Sequence, residues 1–203
     1  MKTISGFTNK TAKHLMLDAG AFFKNFDVSK DTFATAKAAG KLLGATSGGG
    51  EFSAVPEIRQ VEVDGVKGRA KGLETLDSWE VYIKATFIEL SADVLATMLT
   101  TGKTETVADV DSKVKGYTKI TATQKIELTD YIDNIVWIGT LSGSDEPVII
   151  EIRNGLDTDG LTLTFADKSE TKSDATFYGH YSEEDIDNDT PPFTIYYPSV
   201  DAE

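Results

Sequence analysis

Two histidines, His14 and His180, are the only side chains whose unperturbed charge changes near neutral pH. A hydrolytic triad would need one of them between a serine and a carboxylate, with the serine on a Gly-x-Ser-x-Gly elbow, and no such elbow occurs. Cysteine is absent, which removes thiolate nucleophiles, cysteine metal ligands and disulfides. The glycine run "GATSGGGEFS" (44–53) invites a phosphate-cradling reading. A phosphate loop needs G-x-x-x-x-G-K-[ST], and Glu51 stands where a cation is required. No clear strand precedes the run and no helix follows it, so the dinucleotide fingerprint fails as well. The run reads as a hinge between β elements. "DIDND" (185–189) opens like a calcium loop but meets Thr190 and Pro191 where the turn glycine belongs, and "LDTDG" (156–160) reads more simply as a turn. No catalytic residue, metal site or cofactor is expected, and the chain does not read as an enzyme.

The elements that would position any site are mostly strands. In "WEVYIKATFIEL" (79–90), Val81, Ile83, Ala85 and Phe87 share one face, and Ile88 and Leu90 fall out of phase, as at a bulge or a transition. "SADVLATMLTTG" (91–102) reads as the one clear helix, about 91–101. Ser91 would be its N-cap, Gly102 its C′ residue, and Leu95, Met98 and Leu99 its stripe beside Val94. "YTKITATQKIEL" (117–128) predicts a strand with Ile120, Ala122, Ile126 and Leu128 on one face. "YIDNIVWIGTL" (131–141) is apolar on both faces, hence central or covered by another subunit. "VIIEIRNGLDTDGLTLTF" (148–165) predicts a hairpin with Val148, Ile150 and Ile152 opposite Leu161, Leu163 and Phe165, and "PFTIYYP" (192–198) predicts a last short strand. Upstream, "DTFATAKAAGKLLG" (31–44) predicts a short helix capped by Asp31 with Gly40 inside it. "LMLDAGAFFKNFD" (15–27) is an irregular apolar segment.

With 203 residues, a net charge of −13 and 40% hydrophobic residues, the chain suits a single domain with a substantial core. The N-terminal 45 residues form a separate segment, and 182–203 an acidic C-terminal one. So acidic a surface should not wrap nucleic acid, although a polyanion can slide past it. No apolar run approaches the roughly 20 residues that span a bilayer, and "MKTISGFTNKTAKHLML" lacks the apolar core and cleavage site of a signal peptide.

Asp64-Gly65 in "IRQVEVDGVKGRAKG" gives the strongest short hairpin signal. The outgoing arm carries Lys67, Arg69 and Lys71, the densest basic cluster of the chain. Such a tip is either a solvated turn or a dock for an acidic surface on a neighbouring subunit.

The stretch "LLGATSGGGEFSAVPEIRQVEVDGVKGRAKGLETLDSWEVYIKATFIELSADVL" (42–95) resembles the major tail proteins of long-tailed phages and prophages of Gram-positive bacteria. "LDAGAFFKNFD" upstream and "TATQKIELTDYIDNIVWIGTLSG" downstream look like the same family, and the likeness runs to about residue 180. The resemblance implies a mainly β, tail-tube-like β-sandwich with one flanking helix and an extended N-terminal segment. It implies a structural virion protein that forms hexameric rings stacked into a hollow tail, made in the host cytoplasm. Its partners would be further copies of itself, the tape-measure protein and the tail terminator and tip proteins. DNA would cross the lumen unbound, and no membrane would be involved. In that picture Asp64, Gly65, Lys67, Arg69, Lys71, Leu73 and Leu76 belong to inter-ring contacts, and Phe22, Phe23 and Phe26 to a subunit contact. The alternatives are a tube protein of a contractile tail or related injection system, and a monomeric β-sandwich module binding carbohydrate or calcium, with Tyr196 and Tyr197 as a platform.

Overall fold

Period-two alternation sets the sheet. In a computed structural model, which describes residues 4–200, the strand β3 (Glu74–Phe87, with β1 and β2 defined below) buries Val81, Ile83, Ala85 and Phe87, as their spacing requires. Ile88 and Leu90 lie beyond the strand's end, so their phase break marks a transition. Preceding β3 are β1 (Met16–Lys24), α1 (Phe33–Ala38) and β2 (Thr46–Gln60). Following it are α2 (Ala92–Thr97), β4 (Gly102–Thr106), β5 (Thr118–Ala122), β6 (Ile132–Leu141) and β7 (Val148–Asp157). The chain ends with β8 (Ser173–Tyr178), α3 (Glu183–Asp187) and β9 (Phe193–Tyr196). The fold is mainly β.

All pairings are antiparallel. The main sheet runs β1-β6-β7-β8-β3-β2, with β9 added to β7 along Ile149–Ile152. β7 passes from β9 to β8 at Leu156 and Asp157, which pair with Tyr178 and Phe177. The sheet curls until its two outer strands meet: the amide of Leu43, just before β2, donates to the carbonyl of Phe22 on β1 at 2.9 Å. Inside the curl lie Phe22, Leu43, Ile83, Phe87, Met98, Ile135, Ile152 and Phe177, all buried. β6 is central, as its two apolar faces require. Ile135 enters this core, while Val136 and Ile138 enter a second one formed by Phe23, Phe26 and Ala36 of α1.

Several expectations are corrected. The glycine run is not a hinge: Thr46–Gly50 lies within β2, where the register with β3 shifts, so the glycines form a bulge. Gly48 and Gly49 take φ of 89° and 80°, and a Cβ on Gly50 would meet the Phe22 ring. The segment 15–27 is ordered as β1 and its continuation. The helix at 91–101 covers only six residues, because Thr100 turns left-handed at φ 60° and Gly102 opens β4. Its buried face is Val94, Ala96 and Met98, with Leu95 and Leu99 half-buried. It is one of three short α-helices among the described residues. α1 is capped by Thr32 rather than Asp31, and Gly40 follows the helix at φ 71° instead of lying inside it.

The strand expected over 117–128 stops at Ala122 and pairs with β4 in a separate two-stranded sheet packed on α2. Ile126 and Leu128 lie outside it, exposed. The hairpin over 148–165 does not form. β7 is answered by β6, β8 and β9, and Phe165 is exposed, because Asp157 ends the strand in a turn with its own carboxylate accepting from the Asp159 and Gly160 amides.

Candidate functional site

β2 and β3 form a hairpin much longer than the body they belong to. Pairing runs from Thr46 opposite Phe87 out to Gln60 opposite Glu74, and the Val61 amide adds a further bond to the Leu73 carbonyl at 2.7 Å. The inner half belongs to the core. From Val55 outward every residue of β2 is exposed, and so are Glu74–Asp77 on β3. The outer half is therefore a two-stranded arm. β2 pairs only with β3 through this region, which is why Pro56, lacking an amide hydrogen, sits in it without cost to a ladder.

The foot of the arm is fastened by polar contacts. Asp77 is an extra residue in β3, since Glu57 pairs with Ser78 and Ile58 with Leu76. Its carboxylate accepts from Arg59 Nε at 2.9 Å and Nη2 at 3.3 Å. The Ser78 hydroxyl donates to Glu57, and the Trp79 amide donates to the Tyr181 hydroxyl at 3.0 Å. Beside these, Ile58 and Leu76 face each other across the strands, 58% and 51% exposed. A cross-strand apolar pair normally shields itself against a sheet face; here, among the described residues, the pair stays more than half exposed.

At the tip, β2 stops at Gln60 and β3 starts at Glu74, so Asp64-Gly65 is not the two-residue joint of paired strands. The Val66 amide donates to the Val63 carbonyl at 3.1 Å, closing a turn with Gly65 at φ 86°. Only the second central residue has positive φ, which is the type II geometry. A similar turn follows, where the Leu73 amide donates to the Ala70 carbonyl and Gly72 takes φ 92°. Gln60 Nε2 donates to the Gly68 carbonyl and folds the loop back. Lys67 and Arg69 stand between the two turns and Lys71 within the second, all exposed, with Arg69 Nε 4.0 Å from Glu74 Oε1. Val63 and Val66 flank the first turn, 46% and 45% exposed. Asp64, Gly65, Lys67, Arg69, Lys71 and Leu76 are thus brought together on one projection, with Leu73 half-buried among them.

The three phenylalanines are elsewhere. Phe22, Phe23 and Phe26 are 2%, 0% and 2% exposed in the subunit's own two cores, so the subunit contact expected of these three is corrected to core packing. The segment 15–27 offers Leu15, Met16 and Leu17 outward instead. A single sequence cannot distinguish the two, because a doubly covered strand and an oligomer contact are both apolar on adjacent residues.

Among the described residues neither histidine stands between a serine and a carboxylate. His180 Nδ1 donates to the Asn154 carbonyl at 3.0 Å with Tyr131 edge-on to its ring, and His14 stacks on Tyr197. Tyr196 directs its hydroxyl to Glu151. Among the described residues no group of three His, Asp or Glu is placed to hold a metal ion.

The "DIDND" stretch forms the last three residues of α3 and the turn that ends it, with Asp189 at φ 53°. Its Asp185 is buried, accepts from Arg153 Nη2 at 2.7 Å and Nε at 3.1 Å, and caps the helix through the Ser182 amide and hydroxyl. Burial alone would raise this carboxyl, but the Ser182 and Arg153 hydrogen bonds outweigh it and hold it below the usual range. Arg153 also donates to the Pro191 carbonyl and Thr194, tying α3 and β9 to β7. Asp157 is the opposite case. Burial pushes its carboxyl up to about 6, against the amides of Gly160, Asp159 and Thr176, and its Oδ2 has no partner.

Sequence reading missed Ile58, Val63 and Val66 as surface residues. Alternation of apolar and polar residues on either side of a turn is the pattern of a hairpin, and it does not say whether the apolar face is covered. No protein-family model and no curated protein matches the chain.

Proposed function

We propose that this chain is a structural subunit that polymerises, the tail-tube subunit of a long-tailed phage or prophage. Copies assemble into hexameric rings that stack into a hollow tube. The observation that carries this reading is the β2–β3 arm, in which a core-anchored ribbon holds an uncovered apolar pair, two exposed valines and a basic loop away from the body. An isolated two-stranded ribbon with exposed apolar residues is marginal in water and a template for self-association. The order imposed on its tip by two turns and the Gln60 bond suits a surface that docks rather than a loop that merely connects. The net charge of −13 suits a wall past which DNA moves without counterion-releasing contacts.

The test is light scattering with negative-stain microscopy across a concentration series, with and without tail-tip components as initiator. Rings or hollow tubes support the reading. Protein that stays monomeric under both conditions rejects it.

A further inference from the structure

The arm tip carries no acid between Val66 and Leu73, and the residues after Lys172 are acidic with His180 as their one basic side chain. No lysine or arginine follows Lys172. Of the carboxylates on and around α3, Asp185 is neutralised by Arg153, whereas Glu183, Glu184, Asp187 and Asp189 are exposed and form no ion pair among the described residues. α3 lies against the foot of the arm. Between them is a groove of about 470 Å³, with Leu76, Trp79, Tyr181, Ile186 and Pro191 in its lining. Its apolar lining stays open: Ile186 is 67% exposed and Leu76 51%.

We infer that this groove is the acceptor for the arm tip of a second copy of the chain. The two surfaces match in both of their chemistries. Val63 and Val66 at the turn supply apolar side chains for the groove, while Lys67, Arg69 and Lys71 meet Asp189, which lines it, and the exposed Glu183, Glu184 and Asp187 of the adjoining α3 segment. Opposite charges so placed steer encounter and fix register, and the apolar floor supplies the affinity. The tip cannot serve its own groove. It lies several strand residues beyond Leu76, on the order of 20 Å at about 3.3 Å per residue, so the occupant is another molecule. Tip and groove are different surfaces, so the contact is head-to-tail and propagates instead of closing a dimer.

The inference rests on the tube reading for its purpose but can be tested apart from it. The chain has no cysteine, so introduced thiols report one pair at a time. Differently tagged copies carrying Arg69→Cys and Glu183→Cys are mixed and treated with a short bismaleimide. Asp109→Cys, on an exposed acidic loop elsewhere, replaces the acceptor as control. Mixed adduct is expected with Glu183→Cys and not with Asp109→Cys. It should fall as salt rises from about 0.1 M to about 1 M, where the screening length drops from about 10 Å to about 3 Å. Equal adduct with the control overturns the groove. Tubes without the specific adduct also overturn the groove and leave the tube reading standing. Specific adduct from protein that never forms tubes keeps the groove and rejects the tube reading, and absence of both rejects both.

Discussion

The ring of Phe22 lies over Gly50: a Cβ built on that glycine would stand 2.3 Å from the Phe22 Cζ and 2.7 Å from the Lys84 carbonyl oxygen. Phe22 is on β1 and Gly50 on β2, the two outer strands of the curled sheet, so this contact closes the curl and roofs the main core.

Gly50→Ala should therefore destabilise the subunit by about 1–3 kcal/mol, the usual cost of overpacking a closed core. Phe22→Leu in the same chain should recover part of the loss, because the two changes share one contact. Urea unfolding of both single variants and the double variant measures this. An unchanged midpoint for Gly50→Ala would mean the seam is loose.

Asp157 sets a pH dependence of known sign. Its folded pKa, about 6, lies above the ordinary carboxyl value of 3.8. The protonated form is thus favoured by folding; its contribution is complete below the unfolded value and disappears as pH rises through about 6. The difference corresponds to about 3 kcal/mol at 1.36 kcal/mol per unit, an order-of-magnitude figure. Asp157→Asn keeps an acceptor for the Asp159 and Gly160 amides and removes the charge. It should melt higher than the parent at pH 8 and show little advantage at pH 4. Parallel pH dependence of the two proteins would contradict the assignment.

Arg153 and Asp185 make the reverse prediction. Arg153→Met leaves a nearly buried carboxylate without its cation and frees the Pro191 carbonyl, and should cost roughly 2–3 kcal/mol, below the full burial range because the arginine is partly exposed. Hydrogen exchange should rise first at Phe193–Tyr196, the strand that Arg153 ties down. Adding Asp185→Leu should restore part of the stability, though it forfeits the Ser182 cap. In the parent, the contribution of Asp185 is present above the ordinary carboxyl pKa and is lost as pH falls through its depressed folded value.

Reversal of Lys67, Arg69 and Lys71 to glutamate should weaken assembly and spare the fold. All three are exposed and none holds a close ion pair, so monomer stability should stay within about 0.5 kcal/mol. Light scattering of the reversed protein beside the parent reads the assembly. Normal tubes from the reversed protein would remove the basic tip from the interface.

Local chemistry in the sequence was enough for the elements whose pattern depends on neighbours in the chain. The strand face Val81, Ile83, Ala85 and Phe87, the two-faced centrality of 131–141, the Ser91 cap and the turn at Asp64-Gly65 are all products of backbone geometry acting over a few residues. The arm's basic cluster was legible for the same reason, because three cations in five residues need no partner to be noticed.

Tertiary structure decided everything that depends on what lies across space. Whether Phe22, Phe23 and Phe26 face a core or a neighbour is a matter of which strands cover β1, and whether Ile58 and Leu76 are bare is a matter of which do not cover the arm. Within the glycine run, Gly50 is needed because Phe22 of β1 occupies the space a side chain would take, and the helix that Ser182 and Asp185 cap is held to β7 because Arg153 reaches Asp185. Composition determined that this chain is acidic, cysteine-free and strand-rich; burial, set by the sheet's curl, determined which of its apolar residues remain to meet another molecule.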